Sequence, residues 1–161
     1  MSEAIAIGCD EAGLELKAKL VEELERAERK VVDYGCTADY PEVALAVAGA
    51  IARGEHERGI LICGTGIGMA IAANKVPGVY AAQVHDSYSA ERSRKSNNAQ
   101  IMTLGALIVG PALAVSLLHT WLASEFQGGA SARKVAKIAE AERRRSEIGR
   151  ASCRERVYDD V

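Results

Sequence analysis

Short apolar segments alternate with segments of helical periodicity along most of this chain. Runs of β-rich apolar residues predict strands, and apolar residues that recur every three or four positions predict helices. The predicted strands cover residues 4–8, 31–34, 59–63, 79–84 and 101–104. The predicted helices cover residues 14–29, 40–53, 66–75, 87–95, 110–124 and 130–145.

This order of elements strongly limits the possible folds. Strands that alternate with helices are typical of βαβ units, whose crossovers place helices on both faces of a parallel sheet. We therefore predict an α/β protein, a Rossmann-like three-layer α/β/α sandwich with a five-stranded parallel sheet.

Composition excludes several classes of function. The 161 residues suit one domain, and the net charge of −2, from 20 basic and 22 acidic residues, leaves no global basic field to hold nucleic acid. The chain has no apolar run long enough for a membrane span and no signal-peptide pattern, so we expect a cytoplasmic protein without membrane contact. The four cysteines lack CxxC spacing and an accompanying histidine cluster, which argues against zinc and against a disulfide framework.

The C-terminal segment departs from the rest of the chain. Residues 147–157 read EIGRASCRERV, which is one reading frame of a common short-read sequencing adapter. We therefore expect residues 1–146 to form the single domain and residues 147–161, with Cys153, to be a non-native tail. A genuine, solvated extension of the last helix is the alternative.

Polar residues follow several predicted strands. Ligands bind at the carboxyl ends of parallel strands, where the strand order reverses. Asp10 and Glu11 could bind sugar hydroxyls or shuttle protons there, although a helix N-cap and a first-turn charge explain them equally well. His85 could be an acid–base group or a phosphate ligand, whereas Asp86 is predicted to cap the helix that begins at residue 87.

The turn at residues 63–68, Cys-Gly-Thr-Gly-Ile-Gly, directly follows a buried strand and opens a helix. Its backbone N–H groups predict a site for a phosphate or an enediolate oxygen, although the glycines could simply permit tight packing. Gly64, Gly66 and Gly68 fit neither the dinucleotide-binding nor the Walker A pattern. Cys63 lies where a helix N-terminus favours a thiolate, although an isolated buried cysteine is usually inert.

A second polar segment, residues 96–100 (Ser-Asn-Asn-Ala-Gln), precedes the fifth strand. Its neutral donors and acceptors suit the recognition of polyols. Together with the turn at 63–68, it predicts a pocket for a small polar anion.

Six strings resemble the ribose-5-phosphate isomerase B family, which also includes galactose-6-phosphate isomerase. They occur in the family's order across about residues 4–145. The strings are IGCD at 7–10, DYP at 39–41, GILICGTGIG at 59–68, IAANK at 71–75, YSAER at 88–92 and NNA at 97–99.

The resemblance implies an intramolecular oxidoreductase that interconverts aldose and ketose phosphates without a metal or cofactor. Cys63 would move a proton between C1 and C2 through a cis-enediolate. Thr65 and the amides of the three glycines at 64, 66 and 68 would hold the oxyanion, and Asp10 and Asn97 would bind sugar hydroxyls. Tyr40, in the second string, is a further candidate for substrate binding. The resemblance also implies homodimers, or dimers of dimers, with active sites shared between subunits.

Three positions depart from the family pattern. Glu11 and Ser96 stand where the family usually has histidine, and Ala130 stands where an arginine often follows Gly-Gly. In the family, the late basic residues are associated with phosphate binding, which Arg133 and Lys134 could still provide. Lysine is a weaker bidentate partner than arginine.

The residue at position 96 bears on the substrate. In the family, the histidine replaced by Ser96 is associated with opening the furanose ring of ribose 5-phosphate. A tetrose 4-phosphate cannot close that ring, because its C4 oxygen is esterified. Ribose 5-phosphate is therefore the first predicted substrate, and the D-erythrulose 4-phosphate/D-erythrose 4-phosphate pair is the alternative. A non-catalytic sugar-phosphate-binding subunit is the third possibility.

Overall fold

The structure is a computed structural model that describes residues 4–158, with side chains as far as residue 148. Its strands are β1 Ile5–Cys9, β2 Val31–Cys36, β3 Gly59–Cys63, β4 Ala81–Gln83 and β5 Ile101–Gly105. Its α-helices are α1 Leu14–Arg26, α2 Tyr40–Ala52, α3 Ile67–Ala73, α4 Ser87–Lys95, α5 Pro111–Leu122 and α6 Ala130–Tyr158. A short 3₁₀ turn, Glu11–Gly13, separates β1 from α1.

The five strands form one parallel sheet in the order β2-β1-β3-β5-β4. After β1 the chain continues to β2 on one side of the sheet, whereas after β3 it continues to β4 and β5 on the other side. The carboxyl ends of β1 and β3 therefore flank the point where the strand order reverses, which is where such sheets bind ligands.

Apolar residues cover both faces of the sheet. On one face, α1, α4 and α5 pack around the fully buried Trp121. On the other face, α2 and α3 pack against Leu61 and Ile101, with small alanines at the contacts. Helices on both faces of a parallel sheet confirm the predicted three-layer α/β/α architecture.

Helix α1 ends at Arg26, three residues before the predicted end. The N–H of Ala27 donates to the carbonyl of Glu23, and the N–H of Arg29 donates to the carbonyl of Leu24. Glu28 takes a positive φ of 54° between them. The helix thus ends in a left-handed conformation without the glycine that usually marks such an end. The sequence pattern therefore predicts a helix that is too long.

Most of the other elements also differ from their predicted bounds, β4 and α6 among them. Strand β4 is shorter than the predicted 79–84, although the N–H of Val84 still donates to the carbonyl of Thr103. Helix α6 runs beyond the predicted end at residue 145, as far as Tyr158.

The chain divides into two compact units, the first ending at Phe126 and the second beginning at Gln127. The second unit contains α6, which continues through residue 146. The boundary after residue 146 and the non-native tail stay predictions, and residues 159–161 and the side chain of Cys153 lie outside the described part.

Within the described residues, none of the helices combines the length and the apolar character needed to cross a membrane. The cytoplasmic location stays a prediction.

Candidate active site

The turn after β3 places a cysteine sulfur against a backbone amide. Cys63 is the last residue of β3, and its side chain is buried. The N–H of Gly66 donates a hydrogen bond to Sγ of Cys63 at 3.1 Å. An N–H aimed at sulfur is suited to a negatively charged thiolate.

Gly66 can make this turn because it has no side chain. Its φ of 77° lies in the left-handed region. A Cβ atom at this position would also lie 2.9 Å from the backbone carbonyl carbon of Leu104 on β5. Gly66 therefore allows both the conformation of the turn and its close approach to the neighbouring strand.

Tyr40 lies against the same turn. Its ring occupies the space beside Gly68, where a Cβ atom would lie 2.5 Å from two ring carbons. Tyr40 is the first residue of α2, and 39% of its surface is exposed. Gly68 thus permits tight packing, whereas the anion site at this turn stays a prediction.

Two side chains that the sequence reasoning missed hold the turn in place. Nε2 of Gln83, on β4, donates to the carbonyl of Thr65 at 2.6 Å. Oγ1 of Thr103, on β5, donates to the carbonyl of Gly66 at 2.8 Å. Neither residue belongs to a recognisable motif, and only the strand order brings them to the turn.

Asp10 directly follows β1, and its backbone N–H donates to the carbonyl of Ile62 on β3. Its Oδ1 accepts the N–H of Gly13 at 3.2 Å, which caps the 3₁₀ turn. Glu11 is exposed and begins that turn. Asp10 therefore caps the turn, and its carboxylate lies, like Cys63, at the carboxyl ends of the strands.

His85 follows β4, so it also lies at the carboxyl ends of the strands. Its Nε2 accepts the N–H of Gly105 at 3.1 Å, so the neutral ring carries its proton on Nδ1. Asp86 accepts the N–H of Ser89 at 2.7 Å and caps α4, as predicted. Hydrogen bonds from Ser89 hold the pKa of Asp86 below its usual value.

Another cysteine, Cys9, lies at the end of β1 beside Asp10. Burial raises its pKa to about 12, so its thiol keeps its proton at neutral pH. Cys9 is therefore unsuited to act as a base. Among the described residues, no group of three His, Cys, Asp or Glu side chains is arranged to hold a metal ion.

The predicted residues of segment 96–100 lie at the other end of the sheet. Ser96 is the C-cap residue that follows α4, and Asn97 precedes the amino end of β5. Gly105, at the carboxyl end of β5, is the strand partner of Cys63. The four steps from Ile101 to Gly105 span about 13 Å at the usual rise of a strand. One chain therefore does not bring Ser96 and Asn97 to its own Cys63, contrary to a single pocket formed within one chain.

Arg133 and Lys134 lie near the beginning of α6, in the second unit. Both side chains are exposed. Their predicted contact with a phosphate stays a prediction, as do the predicted roles of the other site residues.

In chemical terms, the carboxyl edge of the sheet combines three kinds of group. It has a sulfur that can carry a proton, amides of a glycine-rich turn that can face an oxyanion, and a carboxylate at the neighbouring strand end. This combination suits proton transfer next to a carbonyl group.

Comparison with known proteins gives consistent matches over nearly the whole of the first unit and part of the second. A family model described as Ribose/Galactose Isomerase matches residues 5–138. A ribose-5-P isomerase B of Listeria innocua is 55% identical over 144 residues, which cover 87% of this chain and 97% of that protein. A D-erythrulose-4-phosphate isomerase of Pectobacterium atrosepticum is 53% identical over 140 residues, covering 84% and 92% of the two chains. The solved structure of ribose-5-phosphate isomerase B of Clostridium thermocellum aligns with a TM-score of 0.86 and 46% identity, covering 88% of this chain and 98% of that one.

Proposed function

This chain belongs to the ribose/galactose isomerase family and is a sugar-phosphate isomerase, and from that premise we propose that it interconverts ribose 5-phosphate and ribulose 5-phosphate through Cys63. The observation that carries the proposal is the hydrogen bond from the Gly66 N–H to the Cys63 sulfur. It supports a thiolate at the sheet edge where this fold class binds ligands.

In the proposed reaction, the Cys63 thiolate removes the proton from C2 of the open-chain aldose. The C2 electrons form a double bond to C1, and the carbonyl electrons become an oxyanion on O1. Thr65 and the amides of Gly64 and Gly68 stabilise this charge, since the Gly66 N–H is engaged by the Cys63 sulfur, while Asp10 binds a sugar hydroxyl. A proton then moves from O2 to O1, and the Cys63 thiol returns its proton to C1, which gives the ketose.

A second substrate is favoured by a specific residue. Ser96 cannot serve as an imidazole acid for opening a furanose ring, and a tetrose 4-phosphate needs no such step. The 53% identity to a D-erythrulose-4-phosphate isomerase supports the same alternative. The second candidate is therefore the interconversion of D-erythrulose 4-phosphate and D-erythrose 4-phosphate.

Turnover of the two candidate aldoses distinguishes these functions. We expect NMR assays with D-ribose 5-phosphate and D-erythrose 4-phosphate to show ketose formation from ribose 5-phosphate, unchanged after dialysis against EDTA. Turnover of the tetrose phosphate alone would establish the second candidate. Turnover of neither, together with binding in calorimetry, would indicate a non-catalytic sugar-phosphate-binding subunit.

We also propose that a homodimer, alone or within a dimer of dimers, shares its active sites between subunits. Asn97 lies at the amino ends of the strands, whereas Cys63 lies at their carboxyl ends. This separation supports the arrangement, because a second chain can bring its Asn97 to the first chain's Cys63. Ser96 of the second chain, next to Asn97 in sequence, would accompany it.

Mixing two inactive variants tests the sharing of sites. We expect Cys63→Ala and Asn97→Ala to be inactive separately, and a freely exchanging equal mixture to regain about a quarter of wild-type activity, since each mixed dimer has one intact site. A mixture in which the subunits exchange but no activity returns would show that each chain completes its own site.

A further inference from the structure

The peptide group between Thr65 and Gly66 links Cys63 to a distant side chain. Its N–H donates to Sγ of Cys63 at 3.1 Å, and its carbonyl accepts Nε2 of Gln83 at 2.6 Å. A carbonyl oxygen accepts only a donor, so the amide nitrogen of Gln83 must face it. Hydrogen bonds at the two ends of one peptide group strengthen each other and fix its orientation.

The next peptide group, between Gly66 and Ile67, is fixed from another strand. Its carbonyl accepts Oγ1 of Thr103 at 2.8 Å. Thr103 is fully buried on β5, so this hydrogen bond is shielded from competing water. Gly66 therefore lies between two peptide groups that are each held by a side chain outside the turn.

We propose that Gln83 and Thr103 are positioning residues that aim the Gly66 N–H at the Cys63 sulfur. This inference rests on the proposed function, because it assigns the aimed sulfur to the proton-transfer step. Neither side chain needs to touch the substrate. Both act by holding the turn, together with the backbone hydrogen bonds that Gly64 and Gly66 accept from Leu107 and Ala70.

The expected consequence is a loss of turnover rather than of substrate affinity. Without the hydrogen bonds from Gln83 and Thr103, the Gly66 N–H donates to the sulfur in a smaller fraction of the molecules. The thiolate is then less stabilised. Small displacements of catalytic groups are costly, and we expect kcat to fall about tenfold while KM changes little.

Thr103→Val is the main test, because it removes the hydroxyl and keeps the shape of the side chain. Thr103→Ser restores a hydroxyl and should restore most of the kcat. Thr120→Val is the matched control, since the Thr120 hydroxyl donates to a backbone carbonyl of α5 at 3.0 Å, away from the turn. The control should leave kcat unchanged.

Gln83→Met provides an independent test. Because Gln83 is exposed, we expect this substitution to leave the fold intact. It keeps the length of the side chain and removes the donor. We expect the same loss of kcat with unchanged KM, and an unchanged melting temperature.

Alkylation of Cys63 by iodoacetamide, followed by mass spectrometry of its peptide, gives a second readout that needs no substrate. In Gln83→Met and Thr103→Val we expect alkylation to begin at a higher pH than in the wild type. In Thr103→Ser we expect it to begin at the wild-type pH again. Unchanged alkylation and kcat in Gln83→Met, or a Thr103→Val variant that loses stability alone, would overturn the proposal.

This design separates the two hypotheses. If the wild-type protein turns over neither sugar phosphate, the proposed function fails, while the alkylation profile still tests the aiming of the amide. If the wild type is active and both variants match it, only the positioning inference fails.

Discussion

Replacing Cys63 with alanine is expected to lower kcat by about 100- to 10,000-fold, the usual range for removal of a group that transfers a proton. Cys63 is buried at the end of β3, and its sulfur accepts the Gly66 N–H at 3.1 Å. The methyl group of alanine fits the same space but cannot carry a proton. We therefore expect the melting temperature to change little.

Steady-state kinetics with circular dichroism melting measures both effects. The matched control is Cys36→Ala, at the end of β2, which should retain nearly full activity. If Cys63→Ala stays within tenfold of wild type while correctly folded, another group, such as Glu11, must transfer the proton.

Gly105→Ala is expected to damage both stability and activity. A Cβ atom on Gly105 would lie 2.8 Å from Cα, C and O of Thr65, all of them backbone atoms. A backbone cannot rotate away as a long side chain can, so the turn or strand β5 must shift. We expect a loss of about 1–3 kcal/mol of unfolding free energy, as for other overpacked sites. We expect kcat to fall about 100-fold, because the turn no longer holds the Gly66 amide on the sulfur.

Urea unfolding and steady-state kinetics test this expectation. Gly110→Ala is the control, because a Cβ atom on Gly110 meets no other atom within 4 Å and its φ is −73°. A Gly105→Ala variant that resembled this control in both measurements would show that a Cβ atom at position 105 fits beside Thr65 without displacing the turn.

The elements with local boundary signals were predictable from the sequence. Strand β3 and helix α4 match the predicted residues 59–63 and 87–95. Strand β3 begins at a glycine and ends at the glycine-rich turn, and Asp86 caps α4. The end of α1 was not predictable, because Glu28 takes a left-handed conformation that favours glycine.

The candidate site divides in the same way. The turn at 63–68 was found because its residue types and its place after a buried strand are both visible in the sequence. The contacts of Gln83 and Thr103 depend on the order of β3, β5 and β4 across the sheet, which no local pattern encodes. The position of Asn97 does not depend on that order, because in a parallel sheet a residue before β5 lies at the amino end and Cys63 lies at the carboxyl end of β3.

The most direct test of proton transfer through Cys63 is the exchange of substrate hydrogen with solvent. Proton NMR follows wild-type protein and Cys63→Ala in deuterated buffer with D-ribose 5-phosphate, and separately with D-erythrose 4-phosphate. We expect deuterium on C1 of the ketose and on C2 of the recovered aldose with wild type, and neither with Cys63→Ala. Ketose formation that retains the original hydrogen through many turnovers, or exchange that persists in Cys63→Ala, would contradict proton transfer through Cys63.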